Sequence, residues 1–89
     1  MDIQTKSGVA VLCPEGDLTI FEAAEFHQAL VQLHEQDSPL EIDLSNVEKI
    51  DSSGIQLILA GLKKKEMKIT AVQSSARERF ARVGCGALV

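Results

Sequence analysis

With 89 residues, 45% of them hydrophobic, and a formal net charge of -4, the sequence describes one modest globular domain. That charge excludes a protein built to bind DNA or RNA over a broad surface, and an aromatic content of 3% (three Phe, no Trp, no Tyr) excludes stacking platforms for single-stranded nucleic acid. No run approaches the roughly 18 apolar residues of a membrane span, and the N-terminus lacks the basic and apolar regions of a signal peptide, so a soluble, cytoplasmic protein without membrane insertion is expected.

Asp2 to Thr5 and Val9 to Leu12 read as two short strands joined through Lys6-Ser7-Gly8, a hairpin in which Gly8 is free to take positive φ. Pro14 closes the second strand because it cannot donate to a ladder. Glu15-Gly16-Asp17-Leu18 reads as a connector. Thr19-Ile20-Phe21-Glu22 has the form of a capping box, which predicts a helix from there to about Glu35. Its core stripe is Ala23, Phe26, Leu30 and Leu33, widened by Ala24 and Val31. His27 and His34 share this helix without the i, i+4 spacing of a metal pair, and both read as solvent-facing or packed side chains.

The stretch from Leu40 to Leu62 changes period in mid-course. Leu40, Ile42 and Leu44 alternate with Glu41, Asp43 and Ser45, which is a strand. Ile55, Ile58, Leu59 and Leu62 then follow the i, i+3, i+4, i+7 spacing of a helix with one buried face. Between them lies Asp51-Ser52-Ser53-Gly54, three capping residue types and a glycine where the chain must turn. A helix opening on free backbone N–H groups is an anion site, and here the site carries its own hydroxyls.

Lys63-Lys64-Lys65 complements the helix dipole at the far end. Lys68 to Val72 reads as a further strand. Ser75-Ala76-Arg77-Glu78 has the form of a second capping box, opening a helix whose core residues are Ala76, Phe80 and Val83. Gly84 stands where a left-handed C-terminal cap belongs, and Cys85 to Val89 is a short apolar tail that either packs back or pairs with a second copy. Cys13 and Cys85 have no ligand spacing and read as two reduced thiols. The order β-β-α-β-α-β-α, with one hairpin and two strand–helix–strand crossovers, predicts an α/β fold with a single four-stranded mixed sheet and helices packed over it.

Gly16-Asp17-Leu18, Glu41-Ile42-Asp43-Leu44-Ser45 and Asp51-Ser52-Ser53-Gly54, in this order of elements, make the chain resemble a STAS domain (sulphate transporter and anti-sigma factor antagonist) over residues 1–89. The resemblance implies a non-enzymatic regulator that binds a partner protein. It also implies that the hydroxyl residue directly after the Asp, here Ser52, is phosphorylated by a partner kinase, with Ser53 the rival acceptor. Asp17, Thr19, Asp51, Ser53, Gly54, Gln56 and Leu57 are the expected partner contacts.

Family regulators often carry G-x-L-D before the first helix and DSSG-L-G at the second. This chain has Thr19 and Ile55-Gln56 at those places, closer to stand-alone bacterial STAS proteins of chemotaxis-type clusters or lipid-transport complexes. The partner is then a kinase, an anti-sigma-like or other signalling protein. The alternative is the ATPase of a phospholipid-transport ABC complex, with this chain its small structural subunit. No His near a nucleophile, no metal cluster and no glycine-rich phosphate loop is present, so neither enzymatic activity nor a cofactor is expected. Some members of the family bind a nucleotide, for which these residues give no independent signal. Oligomeric state is left open.

Overall fold

The computed structural model describes residues 1–88; Val89, the last residue of the apolar tail, lies outside the described residues. In chain order the elements are β1 (Ile3–Lys6), β2 (Val9–Leu12), β3 (Gly16–Leu18), α1 (Ala23–His34), β4 (Leu40–Leu44), β5 (Val47–Ile50), α2 (Ser52–Lys64), β6 (Lys68–Val72) and α3 (Ser74–Arg82), with a 3₁₀ turn at Gly86–Leu88. The expected four-stranded mixed sheet is present in the order β1-β2-β4-β6: β1 and β2 antiparallel, β2, β4 and β6 parallel. Ser7 and Gly8 close the hairpin with φ of 52° and 80°. Two positive φ values give the mirror-image turn whose twist matches paired strands.

Leu40, Ile42 and Leu44 of β4 are buried while Glu41 and Asp43 between them are half-exposed, the period of two carried into three dimensions. Phe26, Ala29, Leu30 and Leu33 of α1, Ile55 and Ile58 of α2, and Ala76 and Phe80 of α3 join them in one core. Burying a Leu, Ile or Phe side chain is worth about 1.5–3 kcal/mol. A 12-residue helix, marginal alone, is therefore held chiefly by its buried stripe.

Several expectations are corrected. Gly16–Leu18, read as a connector, is a strand, and it pairs in parallel with β5, which the sequence did not announce; together they form a separate two-stranded sheet. α1 begins at Ala23 and not at Thr19. Val31 and Val83, assigned to the core, are exposed by 41% and 46%, and Ala24 is also exposed. On α2, Leu59 and Leu62 are only half-buried, while Gly54 and Gly61 are buried. The second capping box does not form: α3 starts at Ser74, and the Ser75 hydroxyl instead donates to the carbonyl of Glu48 at 2.9 Å, tying α3 to β5.

Gly84 does cap α3. Its φ is 80°, its N–H donates to Ala81 O at 3.1 Å, and the Cys85 N–H donates to Phe80 O at 2.7 Å. That bond pair is the Schellman pattern. Both cysteines are free and half-buried, and Cys85 packs against the core. Among the described residues no helix is long and apolar enough to cross a membrane.

Candidate functional site

The small β3–β5 sheet positions the site. Its register sets Leu18 against Ile50, so the end of β3 lies beside the start of α2. The contact is close: the Asp51 N–H donates to Leu18 O at 3.3 Å. A Cβ on Gly54 would stand 2.5 Å from that same carbonyl oxygen and 2.8 Å from Ile50 Cγ1. Glycine is required here by the approach of another backbone, and not by its own φ.

Asp51 is the N-cap of α2, with extended backbone. Its Oδ1 accepts from the Ser53 and Gly54 N–H groups at 2.9 and 3.2 Å. The expectation of an open anion site is therefore corrected: the carboxylate of Asp51 is itself the anion at the helix N-terminus, and it fills the place. Its second oxygen, Oδ2, accepts from the Ile20 N–H at 3.0 Å. One side chain thus caps α2 and clips the loop after β3 to it.

That loop is rigidly tied. The Thr19 N–H and hydroxyl both donate to Glu22 Oε1, at 2.9 and 2.7 Å, and the Thr19 hydroxyl oxygen accepts from the Phe21 N–H at 3.3 Å. The Thr19 hydroxyl, and after it the Thr19 amide, hold the Glu22 carboxyl below its ordinary range. Only half of the expected capping box exists. Glu22 reaches back, but the Glu22 N–H goes to the Thr19 carbonyl at 3.0 Å, closing a turn that precedes the helix.

The consequence is an exposed apolar corner. Ile20 and Phe21, read as part of a helix start, stand 61% and 91% exposed beside Asp51. Phe21 lies off the 23, 26, 30, 33 stripe, and that misfit was the one signal of its position. Ser52, the first residue of α2, is exposed, and its hydroxyl makes no hydrogen bond among the described residues. Gln56, one turn on, is exposed on the same face. Ser53 is half-buried.

Leu57 also is half-buried, packed on the core and lining a cavity between α1 and α2 with His34. His34 is the packed member of the histidine pair. Its Nδ1 and Nε2 face the carbonyls of Leu30 and Gly61 at 2.6 and 2.9 Å. His27 is exposed. Asp17 lies apart from Ser52, in an acidic depression with Glu15, Glu22, Glu25 and Asp43. The fold thus gathers Thr19, Asp51, Ser52, Gly54 and Gln56 with Ile20 and Phe21, and leaves Asp17 and Leu57 to either side.

A family model described as "Mlab, STAS domain" matches residues 1–89. The chain belongs to the STAS family. Comparison with curated protein sequences gives no significant match. Among solved structures, the STAS chain is similar to an anti-sigma factor antagonist from Mycobacterium paratuberculosis. The two are 28% identical, the match covers 92% of this chain and 74% of that one, and the TM-score is 0.83. It shares its fold with the anti-sigma factor antagonist SpoIIAA in its unphosphorylated form, at 14% identity, 98% and 83% coverage and a TM-score of 0.75. In this STAS domain, the turn between β5 and α2 is thus framed by an architecture shared with both.

Proposed function

We propose that the protein is a non-enzymatic partner-switching regulator. It docks through the corner made by Ile20, Phe21, Ser52 and Gln56, and phosphorylation of Ser52 switches the docking. The observation that carries this reading is the pairing of a free, exposed Ser52 hydroxyl with a rigidly clipped, 91% exposed Phe21. An apolar side chain on a hydrogen-bonded backbone turn at the surface is a preorganised anchor as far as the main chain goes, since the turn need not be ordered on binding. Family membership and the likeness to anti-sigma factor antagonists support it.

The transfer is simple in outline. A kinase brings a nucleoside triphosphate; the Ser52 oxygen forms a bond to the γ-phosphorus, the bond from that phosphorus to the bridging oxygen breaks, and the nucleoside diphosphate leaves. The hydroxyl proton passes to a base of the kinase. Asp51 is committed to capping, accepting three backbone N–H groups, and the base is assigned to the kinase. Neither histidine lies at Ser52; both belong to α1.

A phosphate adds about -1.5 to -2 charges. With Asp51 already filling the helix N-terminus, that charge enters the docking corner beside a carboxylate. A loss of about 2.7 kcal/mol weakens binding a hundredfold, and a desolvated unpaired charge readily exceeds that. The test is affinity capture from native cells with wild type, Ser52→Ala and Ser52→Asp, with phosphosites mapped by mass spectrometry. Wild type and Ser52→Ala are expected to retain the partner and Ser52→Asp to lose it, with Ser53 unmodified.

The same exposed Phe21 suits a permanent interface as well, as in a structural subunit of a phospholipid-transport ABC complex. Equal capture of an ATPase by all three forms, with an unmodified intact mass, would replace the switch with that second reading. Phe21→Ala is expected to weaken capture in either case.

A further inference from the structure

Beside the Ser52 corner, on the α3 side, lies a cleft of about 280 Å³ lined by Thr19, Lys49, Asp51, Ser75, Arg79 and Arg82. Arg79 occupies a particular place in it. Its Nε donates to the carbonyl of Ile50 at 3.2 Å, which holds the guanidinium two residues before Ser52 in the turn. Its terminal amino groups make no hydrogen bond or ion pair among the described residues. Arg82 differs, lying 3.4 Å from Glu78 on its own helix. The carboxylates bordering the cleft are Glu48, Glu78 and Asp51, and the last is engaged with three amides.

We propose that Arg79 is the cation that receives a phosphate carried by Ser52. This rests on the reading of Ser52 as the phosphoacceptor and adds what becomes of the phosphate. Because Asp51 already accepts from the Ser53 and Gly54 N–H groups, the head of α2 leaves a phosphate on Ser52 few backbone donors, and a side-chain cation is the remaining source of counter-charge. A guanidinium offers two parallel donors that match two phosphate oxygens, and Arg79 is already anchored through its third nitrogen with that pair free. The bond ties α3 to the head of α2 at the edge of the cleft.

The test uses the full chain with phosphoserine incorporated at position 52 and follows the phosphate by ³¹P NMR as pH is varied. In wild type the second ionisation is expected to fall roughly half a unit below its value in Arg79→Gln, since a neighbouring cation favours the dianion and solvent screens an exposed pair. Arg79→Lys, which keeps the charge without the fork, retains part of the shift, and Lys49→Gln retains all of it. Amide spectra of the variants establish that each is folded. Identical titrations in wild type and Arg79→Gln overturn the assignment, as does a shift lost in Lys49→Gln instead. The experiment needs no partner, so a flat titration removes the role of Arg79 without touching the switch. Partner capture indifferent to Ser52 removes the switch without touching the titration.

Discussion

The two ends of α2 are built from similar parts and held in different ways. Each carries a buried glycine pressed against a neighbouring element. At the functional end, the missing Cβ of Gly54 would meet the backbone oxygen of Leu18 at 2.5 Å. At the other end, that of Gly61 would meet Cε1 of His34 at 3.2 Å and Cε of Met67 at 3.5 Å, both on side chains. The first contact is with a carbonyl fixed in a strand, the second with two side chains, the hydrogen-bonded imidazole of His34 and the flexible end of Met67. The Ser52 corner is thus set by backbone against backbone, and the far end by backbone against side chains. A docking corner gains from the first arrangement, because its geometry survives without a partner.

The largest expected effect separates the two glycines. Gly54→Ala forces backbone apart and should destabilise by about 3 kcal/mol, the upper part of the usual range for overpacking. Gly61→Ala should lie within about 1 kcal/mol of wild type, because the helix propensity gained by alanine offsets a small shift of His34. Urea unfolding of both variants measures the difference. Equal losses would erase the contrast between the two ends.

A smaller effect divides the two oxygens of Asp51. Asp51→Ala loses both the cap and the clip to Ile20, and should cost about 2 kcal/mol. Asp51→Asn keeps an oxygen for the Ser53 and Gly54 amides but turns an amino group toward the Ile20 N–H, so about half of that loss is expected. Hydrogen exchange at the Ile20 amide should quicken in both variants, whereas exchange at Gly54 should quicken in Asp51→Ala alone.

The smallest effect is acid sensitivity of the Thr19–Glu22 turn. The folded-state carboxyl of Glu22 lies below its ordinary range, chiefly through the Thr19 hydroxyl. Its contribution is therefore present above the ordinary carboxylate value and is lost as pH falls through the lowered folded one. In Glu22→Gln that portion of the acid dependence should vanish, read as a flatter stability profile below the ordinary glutamate range. An unchanged profile would mean that the turn holds Phe21 without help from this carboxylate.

Legibility followed periodicity and length. β4 was readable because five residues of clean alternation leave one interpretation, and α2 because Ile55 and Ile58 fall on one helical face. β5 was hidden by its own pattern: Val47 and Ile50 are buried and Glu48 and Lys49 are not, a spacing of three in a four-residue strand. β3 is three residues long and pairs only with β5, so neither could be inferred without the other. At Thr19-Glu22 the expected helix cap is a turn ahead of the helix: the same hydrogen-bonding groups serve either, and the sequence does not choose between them.

The four-stranded sheet, the placement of Asp51-Ser52-Ser53-Gly54 at a helix start and the family are legible in the residues, because they depend on local period and a short motif. What surrounds that motif is set by long-range packing. Asp51 joins residues 31 positions apart by bonding Ile20, Gly54 is demanded by a carbonyl from β3, and Phe21 is left in solvent by a turn that stops short of α1. Each of these is a contact between segments distant in the chain, and no local pattern records which carboxylate oxygen faces which amide.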